Sequence, residues 1–412
     1  MNDWKETTLG QHLGVITDYH ANGSYEILKK NVELKDTVDY AVMIRTTNFE
    51  NDDFFVNLKY INRNAYEFLS KSKVMPSDIL MNKIANAGSV YFMPNLNRPV
   101  SLAMNLFLLR TNKKTTNQRY IYEYLKFNEG YIKQFAIGTA TVTITKQAVK
   151  NLKIILPPLE IQDKIAAILS AYDDLIENNK RRITLLENMA EEIYREWFVR
   201  FRFPNYKNAE FEKGIPKGWV ESSLGKIANI QMGQSPKSEF YNTQGEGLPF
   251  HQGVGSYGNR FPINDTYCSV EGRVAYEGEI LFSVRAPVGR INIANTKMII
   301  GRGLAALSHK KGFNTYLLYL LKLAFANEDI IGNGSIFNSV GKDELNNFKL
   351  FLPPEHLIAL FEKIASPIDT EIKLLLQSQE NLEKTKSMLL PRLISGKLTV
   401  EKLNIQFPPS MV

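Results

Sequence analysis

A single cysteine, Cys268, in 412 residues excludes an internal disulfide framework. The five histidines at 12, 20, 251, 309 and 356 are scattered, with none of the spacings that metal ligands adopt. Long apolar runs are missing as well. The longest, around Leu317 to Phe325, is broken by Lys322 and is too short for a bilayer, and the polar start MNDWKETTLG has no signal-peptide core. The expectation is a soluble cytoplasmic protein without a membrane partner.

Motifs for catalysis are also wanting. Gly253 to Gly258 reads GVGSYG, the dinucleotide pattern by letter, but NRFPIND follows where a phosphate-binding helix should begin, so a glycine-rich surface loop is expected. The Gly-Lys pairs starting at Gly225, Gly341 and Gly396 lack the spacing of a Walker loop. Asp369, Glu371 and Lys373 have the residue types of a Mg²⁺-dependent nuclease, yet they sit within a helical stripe, where Asp369 and Lys373 should form an ordinary i, i+4 pair. The Pro-Pro pairs follow Leu156, Leu352 and Phe407, not the Asn or Asp used by methyltransferases that act on amino groups. No catalytic residue, no metal and no cofactor bound by this chain is expected.

The net charge of +7 is unevenly spread. Residues 1 to 150 hold 19 Lys and Arg against 14 Asp and Glu, and residues 211 to 350 hold 15 against 12, whereas the intervening and final segments are nearly balanced. Two positive blocks suit a polyanion. They also resemble each other. WKETTLG from Trp4 returns as WVESSLG from Trp219, VMIRTTN from Val42 loosely as PFHQGVG from Pro249, SDILMNKIANAGSV from Ser77 as GEILFSVRAPVGRI from Gly278, and NLKIILPP from Asn151 as NFKLFLPP from Asn347. In the second of these, Arg45, Thr46 and Thr47 face His251, Gln252 and Gly253.

Each block ends in a short apolar strand, a Pro-Pro stop and a long helical stripe. The first stripe runs from Ile161 to Trp197, broken at Asn179 and Arg182; the second runs from Leu357 to Leu393, broken at Gln379. A helix of roughly 35 residues is about 50 Å long, more than a compact domain uses, so the two should pair as an antiparallel coiled coil and act as a ruler between the blocks. The candidate partner-facing positions are Ile176, Ile183, Leu186, Met189, Ile372, Leu375, Leu382 and Leu389. Pro367 should kink the second helix, and Pro391 with Gly396 should end it.

The remaining polar residues suit base edges and phosphates: arginine and lysine for guanine, Asn and Gln for adenine, Ser and Thr for either. In the first block the candidates are Arg45, Thr46, Thr47, Asn82, Lys83, Lys113, Lys114, Gln118 and Arg119. In the second they are Gln234, Ser235, Lys237, His251, Gln252, Arg285, Arg290 and Arg302.

On MGQSPKSEFYN, LPFHQG, ILFSVRAPVGRINIA and IGRGLAAL in the second block, on LPPLEIQDKIAAILSAYDDLIENNKRRITLLENMAEEIYREWF, and on LLPRLISGKL, the chain resembles the specificity subunits of type I restriction-modification systems. The resemblance implies an α+β chain of two similar α/β target-recognition domains, each followed by a long helix, the two helices pairing antiparallel in a pseudo-twofold molecule. The boundaries expected are 1–155 and 204–351 for the recognition domains, 156–203 for the central spacer and 352–412 for the C-terminal spacer and tail. It further implies double-stranded DNA as ligand, two modification subunits that methylate adenine with S-adenosylmethionine, and restriction subunits that use ATP and Mg. The first block has TDYHANGS and IANAG where GQSP and RAPVG would fall, which implies two different half-sites. A coiled-coil scaffold without a DNA role and an autonomous enzyme with an unfamiliar site are the alternatives.

Overall fold

The computed structural model describes residues 4–139, 141–326, 330–331, 335–336 and 339–411. They form two compact units, Met1–Asn178 with Ser378–Val412, and Asn179–Gln377. Among the described residues no helix is long and apolar enough to cross a membrane.

In the first unit the central sheet is antiparallel, in the order Leu13–Asp18, Leu106–Thr111, Ile79–Asn82 and Val90–Phe92. A second, mixed sheet has Ala41–Ile44 and Val100–Leu102 paired in parallel at its centre, with Tyr60–Ile61 and Lys73–Val74 outside them. Ile79–Asn82 and Ala41–Ile44 are buried at every position. Covering on both faces is why these strands read as continuous apolar runs without alternation. Lys5–Thr8 pairs antiparallel with Lys153–Leu156. That last strand does alternate, with Ile154 and Leu156 buried and Lys153 and Ile155 exposed.

The second unit repeats the plan. Its antiparallel sheet runs Ala228–Met232, Leu304–His309, Ile280–Ser283 and Ile291–Ile293, its mixed sheet centres on Leu248–His251 parallel to Met298–Ile300, and Val220–Ser223 pairs with Lys349–Leu352. The duplicated sequence segments occupy matching strands. One register needs correction. Ala103 N–H donates to Ile44 O as Gly301 N–H donates to His251 O, so Arg45 corresponds to Gln252, not to His251.

The long helices are Leu159–Tyr194, continued by a π-helical turn at Arg195–Val199, and Glu355–Ile394. The division into units cuts both of them, near the polar breaks at Asn179 and Gln379. Each helical part is therefore core material for its own unit. Ile165, Ala166 and Leu169 with Leu393 and Ile394 pack against Ile79, Phe107 and Tyr120 in the first unit. In the second, Ile183, Ala190, Tyr194 and Phe198 with Phe361, Ile368 and Ile372 pack against Phe282 and Tyr316. Within the second unit Arg182 meets Glu371 at 2.6 Å while Tyr194, twelve residues later, packs on Phe361, ten residues earlier. Rising numbers on one helix against falling numbers on the other define antiparallel pairing.

Among the partner-facing candidates Ile183, Ile372 and Leu375 are buried, Ile176, Leu186, Leu382 and Leu389 are half-buried, and Met189 is 47% exposed. The second helix runs unbroken past both prolines and stops only after Ile394. There Gly396 takes φ +70° and donates its N–H to Leu393 O, closing the helix in the left-handed geometry that glycine favours. Flanking packing therefore overrides the helix-breaking tendency of Pro367 and Pro391.

Phe361 is fully buried among the rings of Tyr194, Phe198, Tyr316 and Tyr319. Phe361→Ala should cost about 3–5 kcal/mol by leaving a cavity that rigid neighbours cannot fill. Denaturant titration of the variant measures it.

Candidate nucleic-acid interface

Strand direction decides which loops share an edge. In the antiparallel sheet of the second unit Met232 pairs with Ala305, Ser283 with Leu304 and Phe282 with Ile291. The chain therefore leaves the sheet at Gln234 and Arg285 and enters it at Arg290 and Arg302 along one edge. Gln252 joins them, because Gly303 N–H donates to Gln252 O at 3.0 Å and Arg302 N–H donates to Ser235 Oγ at 3.1 Å. Arg285, Arg290 and Arg302 are exposed. Six sequence candidates thus converge: Gln234, Ser235, Gln252, Arg285, Arg290 and Arg302. Lys237 follows two residues after Ser235, exposed, with its ammonium 3.8 Å from Glu239.

Glycine makes this convergence possible. A Cβ on Gly301 would lie 2.8 Å from Gln252 Cα, and one on Gly303 would lie 2.5 Å from Gln252 O. Any side chain there would push the Gln252 backbone away from the sheet edge.

His251 does not belong to the exposed set. It is fully buried, with Nδ1 2.7 Å from Ser256 Oγ and Nε2 2.9 Å from Asn264 Oδ1. The ring spans the glycine-rich loop from inside and presents no edge to a ligand. The GVGSYG segment itself carries a short 3₁₀ turn, Val254–Ser256, with no helix to receive a phosphate.

The first unit keeps the same edge but furnishes it differently. Arg45, Thr46, Thr47, Met104 and Asn105 line a cleft of about 440 Å³ whose apolar wall includes Tyr19, Leu28 and Met43. The Arg45 guanidinium donates to Asn57 O at 2.5 Å. Asn82 is buried, and Lys83 turns back to Asp18 at 3.1 Å. Lys146 reaches the same carboxylate at 2.8 Å. Burial would raise the Asp18 carboxyl, but the hydrogen bonds from Lys146 and Lys83 hold it below its ordinary range. Sequence inspection missed Asp18 and Lys146, since nothing in the chain marks a pair 128 residues apart.

Lys113, Lys114, Gln118 and Arg119 are not brought to this edge. Thr111 pairs with Leu13 at the far end of the sheet, so the run after it emerges on the opposite side. Lys113 and Lys114 are exposed there. Gln118 accepts from Thr111 N–H at 2.7 Å and donates to Leu109 O and Ser77 O, and Arg119 is bound to Glu123 and Asp173. Both are framework residues. The expected Asp369–Lys373 pair is also replaced. Asp369 faces inward to Arg260 at 2.5 Å, while Lys373, one turn on, binds Glu277.

Residues 1–188 and 216–384 match the family model described as the type I restriction modification DNA specificity domain. The chain belongs to this family. A Methanocaldococcus jannaschii protein assigned as the MjaX specificity subunit of a type I restriction enzyme is 32% identical over 381 residues, covering 89% of each chain. The MjaIX specificity subunit of the same organism is 28% identical over 327 residues, covering 71% of this chain and 74% of its own. In fold the chain is similar to the crystal structure of the type I restriction-modification S subunit from M. genitalium, with a TM-score of 0.60 at 16% identity over 95% of this chain and 96% of that one. The two matched segments of the specificity family each contain one copy of the duplicated sheets.

Burial pushes the His251 imidazole below its ordinary pKa. Above about pH 6.5 the ring is neutral whether the chain is folded or unfolded. Below that, the unfolded chain takes up a proton that the folded chain resists, so stability falls as the pH falls. His251→Gln should flatten the decline in melting temperature between about pH 6.5 and 5 relative to wild type, as thermal scans across that range would record.

Proposed function

We propose that this chain is the DNA-reading, non-catalytic subunit of a type I restriction-modification complex, taking one half of a split target with each recognition domain. The observation that carries the reading is the shared sheet edge of the second unit, where Gln234, Gln252 and three exposed arginines stand together. Guanidinium groups pair bidentately with guanine and grip phosphates; carboxamides pair with adenine. The first unit offers a cleft with Arg45, Thr46 and Thr47 at the corresponding edge, so the two half-sites differ in sequence. Double-stranded DNA is the ligand. Two modification subunits dock on the chain and supply S-adenosylmethionine, and restriction subunits supply the ATP- and Mg-dependent step, all in the cytoplasm.

Two experiments test this on the full chain assembled with modification subunits. Exchanging residues 1–155 for those of a relative should alter one half-site in a methylation profile and leave the other unchanged; a hybrid that alters both together would refute one-domain-per-half-site reading. Alanine at Arg285, Arg290 or Arg302 should weaken DNA binding. A base-reading arginine would lose about 1–3 kcal/mol with relaxed specificity at one position. A phosphate contact would instead weaken all sequences alike and lower the salt slope by about 1. Unchanged affinity and salt dependence in all three variants would remove the second sheet edge as the interface.

A further inference from the structure

The loop that leaves the second mixed sheet at Gln252 is tied to neighbouring strands by Gly303 N–H donating to Gln252 O and Ile293 N–H to Arg260 O, each at 3.0 Å, and by Asn292 Nδ2 donating to Gly258 O at 3.0 Å. Buried side chains fasten it further from within. Buried His251 reaches Ser256 and Asn264 from below. Beyond Ser256, Arg260 enters the interior of the second unit with its side chain only 4% exposed. One of its terminal nitrogens donates to Glu187 on the first long helix at 3.1 Å, the other to Asp369 on the second at 2.5 Å. Tyr319 OH also donates to Asp369, at 3.1 Å. The Arg260 Nε is buried without a hydrogen-bond partner, so the two carboxylates carry the whole charge compensation. A guanidinium can bridge two carboxylates because it is a planar fork; an ammonium is a point charge and cannot span them equally well.

The packing beside this bridge is open. A cavity of about 500 Å³ lies beside Arg260, bounded by Phe261, Ile280, Leu318, Ser366 and Thr370. Among the described residues the first unit has no counterpart in its corresponding loop. Asp173, the residue 196 positions before Asp369, takes its cations from Arg119 on the helix Gln118–Phe127 and from Lys386 at 2.8 Å. Neither belongs to the segment that follows Arg45.

We infer that Arg260 is a positioning residue for the second half-site: by joining the Gln252 loop to both helices it holds Gln252 at one place on the sheet edge, and so sets how strictly that half-site is read. The inference rests on the DNA-reading function proposed above. Arg260 cannot touch DNA itself, so its effect must pass through the loop.

The test uses the full chain assembled with modification subunits, acting on a DNA library varied in either half-site. Arg260→Lys should reduce discrimination against single mismatches in the second half-site about tenfold, equal to about 1.4 kcal/mol, and leave the first half-site unchanged. Arg260→Gln combined with Glu187→Gln and Asp369→Asn removes the three charges of the bridge together, so neither carboxylate is left without its guanidinium, while Lys322, which also faces this cluster, keeps Glu191. It should show the same lapse, confined to the second half-site. Wild-type discrimination in that triple variant, or an equal loss at both half-sites, would overturn the inference. A wild-type complex that methylates no split target would instead overturn the underlying reading.

Discussion

The apolar stripe on each long helix is the constraint from which the rest of the architecture follows. Most of the stability of an amphipathic helix in a protein comes from burying its apolar stripe in tertiary packing. Here the burial is supplied twice over. Ile165 and Leu169 complete the core of the first unit together with Leu393, while Tyr194 and Phe198 complete that of the second together with Phe361. The helices pair with each other and pack on the sheets at the same time, so the choice between a free coiled coil and a domain-bound helix does not arise. The sheet edges keep their positions because these cores are filled from behind.

Charge placement inside those cores records how far the two copies have diverged. Asp173 and Asp369 hold the same place in the repeat, yet one is met by Arg119 and Lys386 and the other by Arg260 and Tyr319. Asp369 is the more buried of the two, where a carboxylate without a cation is costly, and Asp173 is half-buried, yet each keeps a cation, and not the same one. The solutions differ in consequence. In the first copy the cations come from helices; in the second, Arg260 comes from the loop that follows Gln252 at the sheet edge.

The exposed edges diverge in the same manner. Glycines at 301 and 303 bring the Gln252 backbone against the sheet, where the first copy has Ala103 and Asn105 and leaves a cleft. Close backbone approach and an open cleft are alternative ways to furnish one topological position. That is compatible with two domains of shared fold and separate specificity.

Much of this was legible in the chain alone. Duplication, apolar strand runs, Pro-Pro stops and helical stripes are local or periodic features, and they led to two repeated α/β units with long antiparallel helices. The convergence of Gln234, Gln252, Arg285, Arg290 and Arg302 needed strand direction as well, since residues nearly 70 positions apart share an edge only through antiparallel pairing. What the sequence could not separate was exposure from burial among polar residues of the same type. His251 and Gln252 are neighbours, and pleating with loop packing sends one inside and the other to the edge. Arg260 is indistinguishable from a surface arginine until Glu187 and Asp369, remote in the chain, fold against it, and Arg119, beside its i+4 partner Glu123, shows no sign in sequence of Asp173. Local propensity and period are written in short windows of sequence, whereas the partner of a buried charge is set by contacts that exist only once the tertiary structure has formed.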